Sequence, residues 1–258
     1  MKKSVVLFTA RCGDAEAGAG GVIAKLTAEG YRVLSVVMTT SVAEPLLNQE
    51  QAPLSPAEVC ELREREARES AALLGHHVEF MRYNERFYWI NGERRYLDYT
   101  ESMPDAELPG KGWLGVVHWP AIRQAVKDIL LREEPELILT HSACETEYEK
   151  WAVQRAVIPA CSALTGEGLP QGKLLALPPL PGFQSQVMGI HEMIRITGYQ
   201  DKKYAALRCH ASSISESMVR RLMARDELRG GPKWEEQDMP DYAEAFLSLW
   251  SGAPLYRV

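Results

Sequence analysis

The sequence has few cysteines, and no two of them have the spacing of a metal-binding or redox-active pair. The five are Cys12, Cys60, Cys144, Cys161 and Cys209, an odd number that is spread along the chain. This usage indicates neither a zinc ribbon nor a redox dithiol, and it is typical of proteins in a reducing cytoplasm. We therefore expect a cytoplasmic protein that folds without disulfides.

Long hydrophobic runs and basic clusters are also missing. No apolar run approaches the ~20 residues of a membrane span, and the roughly seven apolar or small residues that follow Lys3 are at the short limit for a signal peptide. The net charge is −6, and no Lys/Arg cluster is interleaved with aromatic residues. These features argue against a nucleic-acid-binding face. The expected partner is a small-molecule ligand, without nucleic acid or membrane, and a homo-oligomer is compatible with the sequence.

Strand-like and helix-like segments alternate along the chain. This alternation predicts a single domain over residues 1–258 of the α/β class, with a Rossmann-like, mostly parallel sheet and helices on both faces. Ligands bind such folds at the carboxyl ends of the strands. The predicted strands cover residues 4–9, 32–39, 77–81, 137–140, 174–176 and 189–197, and the predicted helices 22–29, 55–74, 119–132, 148–164, 200–225 and 241–250.

Residues 83–115 have no clean period and contain several glycines and prolines. The Asn91-Gly92 pair predicts a small hairpin within this stretch. An irregular segment of this length in a compact domain is usually a functional loop. We expect a flap or lid near the pocket mouth, with Trp89 or Trp113 contacting the ligand.

The segment between the first strand and the first predicted helix contains the most specific motif. It reads Ala10-Arg11-Cys12-Gly13-Asp14-Ala15, and two residues later Gly18-Ala19-Gly20-Gly21. This motif resembles the metal-binding loop of the LmbE/PIG-L family of zinc-dependent sugar N-deacetylases. Members of that family carry Ala-His-Pro-Asp-Asp-Glu at this point, followed by Gly-x-Gly-Gly. The resemblance implies an LmbE-like fold with its site at this loop.

Three further segments resemble the family in the same order along the chain. Residues 63–66, Arg-Glu-Arg-Glu, match an R-x-x-E helix, and residues 202–213 resemble a K-x-x-A-x-x-x-H-x-S-Q segment in which Ser213 replaces the glutamine. Residues 242–246, Tyr-Ala-Glu-Ala-Phe, resemble a closing A-E-x-F. The chain is identified as a divergent member of the family.

The divergence falls on the residues that bind metal in the family. By the resemblance, Arg11 and Lys150 stand at zinc-binding histidines, Gly13 at the catalytic aspartate and Glu147 at a second active-site histidine, so only Asp14 remains. Arginine cannot be deprotonated to bind a metal, and two cations would repel Zn²⁺ by several kcal/mol. We expect no metal and no other cofactor, although family members use zinc. Arg11 and Lys150 are predicted to converge on Asp14 and replace the metal's charge.

Two other arrangements of the same loops stay open. Cys12, Asp14, His141 and Cys144 have donor types that suit a relocated soft-metal site, and Cys12 with His141 would suit a nucleophile and its base. A buried cysteine that acts simply as a small hydrophobe is the structural alternative. If the protein is an enzyme, the candidate catalytic residues are Asp14, Cys12, His141 and Glu147.

The candidate ligand pocket combines the two loops with one helical residue. By the resemblance Arg63 faces the substrate, whereas its Arg/Glu-rich helix is also typical of a solvated face. The pocket residues are Arg11, Cys12, Gly13, Asp14, Arg63, Glu147 and Lys150.

The leading functional hypothesis is a pseudoenzyme candidate with a dismantled zinc site. It would bind or transform a small polar ligand, glycosylated or anionic, without metal. The alternatives are an active N-deacetylase or amidohydrolase, a hydrolase of an amide C–N bond in an N-acyl sugar conjugate, and a non-catalytic partner subunit.

Overall fold

The computed structural model describes residues 3–47, 54–90, 93–96, 110–112, 114, 119–142, 145–167, 172–177, 192–230 and 241–250. The strands are β1 (Ser4–Thr9), β2 (Arg32–Thr39), β3 (His77–Tyr83), β4 (Phe87–Ile90), β5 (Glu93–Tyr96), β6 (Leu137–His141), β7 (Lys173–Leu177), β8 (Glu192–Arg195) and β9 (Ala243–Trp250). The helices are α1 (Asp14–Ala28), α2 (Pro56–Leu74), α3 (Trp119–Glu133), α4 (Tyr148–Gly166), α5 (Gln200–Cys209) and α6 (Glu216–Gly230).

A seven-stranded sheet with the order β3-β2-β1-β6-β7-β9-β8 forms the centre of the fold. The strands β3, β2, β1, β6 and β7 pair in parallel in this order, whereas β9 is antiparallel to both β7 and β8. Because side chains alternate along a strand, β1 contributes to two cores. Val6 and Phe8 pack with residues of α3 and α4, whereas Val5 and Leu7 pack with residues of α1 and α5. The predicted α/β class, with helices on both faces of a mostly parallel sheet, is confirmed.

The order of the strands places a crevice beside β1. The chain passes from β1 outward to β2 and β3, and then returns to form β6 on the other side of β1. Loops therefore leave the carboxyl ends of β1 and β6 in opposite directions, which is where such folds bind ligands. The residues that follow β3, β2, β1 and β6 lie along this one edge.

Several local predictions match the structure. β1 and β2 have the predicted bounds, and the predicted hairpin is present because β4 pairs with β5 in antiparallel register. The cap of α2 is also as expected: Ser55 and Glu58 form a capping box, and the helix ends at Gly75 with φ of 80°. Helix α4 continues through Pro159.

Three other predictions were wrong. The first helix begins at Asp14 rather than at residue 22, the segment 200–225 forms two helices, and the segment 241–250 is the strand β9. The structure also shows why α1 is easy to miss. Its backbone leaves helical geometry at Ala19 (φ −144°, ψ 16°), and the N–H groups of Gly21 and Val22 donate to the carboxylate of Glu244 in β9.

None of the described helices is both long enough and apolar enough to cross a bilayer.

Candidate functional site

Charged side chains gather at the edge of the sheet where four parallel strands end. Arg11 follows β1, and Ser41 and Glu44 follow β2. Glu85 follows β3, and His141 is the last residue of β6. The segment after β6 leads into α4 and adds the carboxylates of Glu145, Glu147 and Glu149 and the ammonium of Lys150.

Arg11 is the centre of this cluster. The residue is buried, and its Nε lies 2.5 Å from Glu85 Oε1. Its Nη2 lies 3.2 Å from Glu149 Oε2, and its Nη1 contacts both Glu147 and Glu44. Burial alone would lower the pKa of Arg11, but the four carboxylates hold that pKa well above its ordinary value. The guanidinium is therefore charged and surrounded by carboxylates.

The two buried carboxylates that pair with Arg11 are held by backbone groups as well. Glu85 Oε2 accepts the N–H of Ala43 at 2.7 Å, and Glu149 Oε1 accepts the N–H of Arg86 at 2.9 Å. Burial raises the pKa of Glu85, although Arg11 opposes the shift. Through Arg11, these bonds connect the segments after β2 and β3 to the first turn of α4.

Lys150 forms the second centre of the cluster. Its buried Nζ lies 3.4 Å from Asp14 Oδ1 and donates to Glu147 Oε1 at 2.8 Å. Burial would lower the pKa of Lys150, but Asp14 and Glu147 raise it above its ordinary value. Burial would likewise raise the pKa of Asp14, but Lys150 holds it far below its usual range. Lys150 and Asp14 thus form a buried ion pair.

The structure supports only one half of the predicted convergence on Asp14. Lys150 reaches that carboxylate, but Arg11 contributes its backbone N–H, at 2.9 Å from Asp14 Oδ2, rather than its guanidinium. Among the described residues, the ion pairs of Arg11 are with four glutamates instead. The physical reason is Glu85, since a fully buried carboxylate needs a cationic partner and Arg11 supplies it.

His141 is committed to the backbone of the neighbouring strand. Its Nε2 accepts the N–H of Ala10 at 2.9 Å, which uses the lone pair of that nitrogen. Nδ1 is 3.8 Å from Glu145 Oε1. Nε2 is also 3.4 Å from Asp14 Oδ2. His141 therefore positions the Arg11 loop, and the lone pair of its Nε2 is engaged by a backbone N–H rather than free to bind a metal.

Cys12 does not have the surroundings of a nucleophile. The residue is buried, and its backbone N–H donates to Ser41 Oγ at 2.9 Å. Burial raises the pKa of the Cys12 thiol well above its ordinary value, so the thiol stays protonated at neutral pH. No described contact joins it to His141, and Cys144 lies outside the described residues. The structure therefore favours the hydrophobic role for Cys12.

Gly13 has a backbone that disfavours the aspartate implied by the family pattern. Its φ is +90°, and a Cβ built there would lie 2.9 Å from Ile214 Cδ1. An L-residue is strained in this conformation. The glycine therefore fits the turn that leads into α1.

Arg63 is buried rather than solvated. It is 1% exposed, and its Nη2 lies 3.3 Å from the carbonyl oxygen of Glu44. Its Nε and Nη1 have no hydrogen-bond partner among the described residues, and burial lowers its pKa. The solvated helix face considered from the sequence is wrong for this residue.

The donor set of the described site does not fit a zinc ion. Zinc requires several neutral imidazoles, thiolates or carboxylates directed at one point. Within the described ranges, no group of three or more His, Cys, Asp and Glu side chains has such an arrangement. Beside Asp14, which the sequence resemblance assigns to a metal-ligand position, stand the ammonium of Lys150 and the engaged Nε2 of His141.

Sequence reasoning missed Ser41, Glu44 and Glu85 as parts of the site. The signal for Glu85 is its position four residues after the predicted strand 77–81, at the edge where parallel strands end. Ser41 has a positive φ of 60°, which is uncommon for a non-glycine residue and does not show in the sequence.

The predicted flap is only partly within the described residues. Glu85 pairs with Arg11, and Trp89 Nε1 donates to the carbonyl oxygen of Ala43 at 2.7 Å, so the start of the segment 83–115 lies beside the site. Residues 97–109 and Trp113 lie outside the described residues. The flap and its ligand contacts stay predictions.

Comparisons with known proteins agree with the observed fold. Residues 6–161 match the PIG-L family, described as GlcNAc-PI de-N-acetylase. No curated protein sequence matches the chain.

Solved structures share the fold along nearly the whole chain. The 4-carboxy-2-hydroxymuconate hydratase GalB from Pseudomonas putida KT2440 has a TM-score of 0.73 and 21% identity, covering 99% of this chain and 100% of that one. The N,N'-diacetylchitobiose deacetylase from Pyrococcus horikoshii has a TM-score of 0.66 and 19% identity, covering 98% and 87%. The zinc-inhibited form of teicoplanin deacetylase Orf2 has a TM-score of 0.64 and 16% identity, covering 95% and 97%. At these identities the likeness concerns the fold.

Proposed function

Because the chain belongs to the PIG-L family, described as GlcNAc-PI de-N-acetylase, we propose that it keeps the family's pocket but binds or transforms a small polar ligand without a metal. One observation carries the proposal. The ammonium of Lys150 lies between the carboxylates of Asp14 and Glu147, at 3.4 Å and 2.8 Å. A cation supplied by the chain therefore occupies the surroundings of the one remaining family ligand.

The positive charge of Lys150 opposes the binding of Zn²⁺ at Asp14. At a separation of roughly 4 Å and an effective dielectric constant of about 20, the repulsion between a Zn²⁺ ion and an ammonium is roughly 8 kcal/mol. Lys150 cannot easily lose its proton to relieve this repulsion, because Asp14 and Glu147 raise its pKa. Zinc binding would have to displace the side chain.

None of the four candidate catalytic residues offers a ready general base. A general base for hydrolysis needs a free acceptor with a pKa near the working pH. Asp14 and Glu147 are ion-paired with lowered pKa values, Nε2 of His141 accepts a backbone N–H, and the thiol of Cys12 is protonated. The proposed pocket residues are Arg11, Cys12, Gly13, Asp14, Arg63, Glu147 and Lys150.

The ligand class is proposed by analogy with the fold neighbours. Two of them are described as deacetylases of N,N'-diacetylchitobiose and of teicoplanin, which makes a glycosylated ligand the first class to test. This step rests on analogy of fold and not on the site's geometry. GalB is a hydratase with the same fold, so the fold alone does not determine the reaction.

Several other features belong to the same proposal. They are a single domain over residues 1–258, a flap over residues 83–115, a cytoplasmic location and the absence of a cofactor. Cysteine usage supports the location, and the contacts of Glu85 and Trp89 beside the Arg11 loop support the flap.

Elemental analysis of protein purified without added metal or chelator tests the proposal. We expect far less than one zinc per chain and no release of acetate from N-acetylglucosamine conjugates. The matched variant is Asp14→Asn, which removes the remaining family ligand. One zinc per chain in the wild type that is lost in Asp14→Asn, together with acetate release, would instead establish the metal-dependent deacetylase.

A further inference from the structure

Arg63 differs from the other two cations of the proposed pocket. Arg11 is paired with four glutamates, and Lys150 is paired with Asp14 and Glu147. Arg63 is at least as deeply buried, at 1% exposure, but its guanidinium has no ion-pair partner among the described residues. It is therefore a buried cation without a described counter-ion.

The hydrogen bonds of Arg63 are incomplete as well. Its Nη2 donates to the carbonyl oxygens of Glu44 and Pro45 at 3.3 and 3.4 Å, which are long for such bonds. A guanidinium has five N–H donors, has no acceptor and stays protonated in proteins. Three of these donors, one on Nε and two on Nη1, have no acceptor in the described part of the chain. A buried polar group of this kind requires an explanation, such as an ion that the site binds.

The carboxylates near Arg63 have other partners. Burial lowers the pKa of Arg63, and three nearby glutamates only partly oppose the shift. They are Glu44, Glu66 and Glu85. Glu44 and Glu85 are each ion-paired already, and Glu66 accepts the backbone N–H and the hydroxyl of Ser212. Because an uncompensated buried charge is costly, Arg63 calls for an anion that these glutamates do not supply.

Arg63 adjoins the rest of the proposed pocket. Its Nη2 contacts the backbone of Glu44, whose side chain pairs with Arg11 and is 41% exposed. Its charge also lowers the pKa of the Cys12 thiol, although burial raises that pKa more. The segment after β2 therefore connects Arg63 with the exposed edge of the site. A group that displaced the two long carbonyl contacts would gain the donors of Arg63.

The charge of Arg63 decides which kind of group would fit. Carboxylates and phosphates accept charge-assisted hydrogen bonds from a guanidinium, which is weakly hydrated and suits buried ion pairs. A hydroxyl or an ordered water accepts hydrogen bonds but leaves the charge uncompensated. A metal ion or an ammonium would be repelled. The carboxylates around Arg11 and Lys150 would repel an anion, so it would bind on the Arg63 side of the pocket.

We infer that the ligand of this site carries an anionic oxygen group, a carboxylate or a phosphate, which binds to Arg63. The inference rests on the proposed metal-free binding of a small polar ligand and adds the charge of that ligand. The family resemblance implies only that Arg63 faces a substrate. The charge of the group that binds there follows from the missing counter-ion.

Urea unfolding of the full chain at equal ionic strength tests the inference. The probes are formate, its near-isosteric neutral analogue formamide, and inorganic phosphate. A molecule that binds only the folded state raises the unfolding midpoint, and the concentration dependence of the midpoint gives the dissociation constant. We expect formate or phosphate to bind at least about 10-fold more tightly than formamide. An effect of formate alone identifies a carboxylate site, and an effect of phosphate alone identifies a phosphate site.

Two arginines of α2 provide the variants. Arg63→Met keeps an apolar stem but removes the charge, so the effect of the anion on the midpoint should disappear. Without anions its midpoint should be no lower than that of the wild type, because an uncompensated buried cation has been removed. Arg65 is exposed on the same helix, and Arg65→Met should keep the anion effect. The comparison of formate with formamide in the wild type decides alone if a variant does not fold.

The outcomes separate this inference from the proposed function. Equal effects of formate, phosphate and formamide on the wild type, or an unchanged anion effect in Arg63→Met, would overturn the anionic ligand and leave metal-free binding intact. A lower midpoint of Arg63→Met without anions would also overturn it, since the carbonyl contacts would then compensate the charge. Stoichiometric zinc with acetate release from N-acetylglucosamine conjugates would instead contradict the proposed function.

Discussion

The ammonium of Lys150 lies 3.4 Å from the carboxylate of Asp14, although the two residues are far apart in sequence. Asp14 is the first residue of α1, and Lys150 is in the first turn of α4. Because α1 follows β1 and α4 follows β6, this ion pair joins the loops on the two sides of the crevice. We propose that it replaces the link that a shared metal would make.

The first prediction concerns the stability of this link. Lys150→Met leaves the buried Asp14 and the part-exposed Glu147 without their shared cation, and an uncompensated buried charge typically costs about 3–5 kcal/mol. The control is Lys127→Met, which removes the more exposed pair with Glu167 and should cost no more than about 1 kcal/mol. Urea unfolding measures both values. Equal losses of unfolding free energy in the two variants would show that the Lys150 pair stabilises the fold no more than the more exposed pair does.

A second buried cation should behave in the same way away from the site. Lys203 Nζ lies 2.6 Å from both Asp226 and Glu244, and all three side chains are fully buried. Lys203→Met is expected to lower the free energy of unfolding by about 3–5 kcal/mol. The more exposed pair of Lys173 and Glu192 provides the control, for which Lys173→Met should cost about 1 kcal/mol or less. Denaturant unfolding measures the free-energy loss of both variants, and equal losses would contradict the prediction.

The pH dependence of stability provides a third prediction through Glu16. Burial would raise the pKa of Glu16, but His210 and Ser70 lower it from 4.5 to about 2. Since the folded pKa is the lower one, this stabilisation is present above about pH 4.5 and is lost as pH falls to about 2. The shift corresponds to up to about 3 kcal/mol. The free energy of unfolding of Glu16→Gln should therefore depend less steeply on pH in this range. A pH slope equal to that of the wild type would contradict the lowered pKa of Glu16.

The fourth prediction compares two glycines with positive φ. Gly13 has φ of +90° and a Cβ position 2.9 Å from Ile214 Cδ1, whereas Gly30 has φ of +83° and open space. Alanine should cost about 1–2 kcal/mol at either position from backbone strain. Gly13→Ala should cost a further ~1–3 kcal/mol because of the close contact. Thermal unfolding of both variants measures the difference, and identical melting temperatures would exclude the contact as a cause.

The sequence predicts well those elements whose pattern is local. The β-branched run of β2 and the capping box at Ser55 depend on neighbouring residues, and their bounds match the structure. The start of α1 depends on tertiary packing instead. A Cβ on Gly21 would lie 2.5 Å from Ile196 Cδ1, so a glycine-rich segment that looks like a loop is a helix in close contact with its neighbours.

The two C-terminal errors have separate physical reasons. Residues 243–250 include the good helix formers alanine, glutamate and leucine, but pairing with β7 and β8 makes them a strand. Tertiary context overrides helix propensity in such segments. The break between α5 and α6 does have a local signal, because Ser215 Oγ accepts the N–H of Met218 as α6 begins. That serine could have predicted a second helix start.

The candidate site was predictable only in part for a similar reason. The resemblance located Asp14 and Lys150 on facing loops, and the structure brings them together. It did not predict the partner of Arg11, since Glu85 is 74 residues away and belongs to a different strand end. Long-range ion pairs depend on the order of strands in the sheet, and the sequence pattern does not determine that order.

An anomalous-difference map at the zinc absorption edge, from crystals grown with zinc, tests the central proposal most directly. The account predicts that Nζ of Lys150 stays within about 4 Å of Asp14, the ion-pair distance, and that no zinc peak lies beside this carboxylate. A peak about 2.0–2.2 Å from a carboxylate oxygen of Asp14, with the Lys150 ammonium displaced, would contradict it.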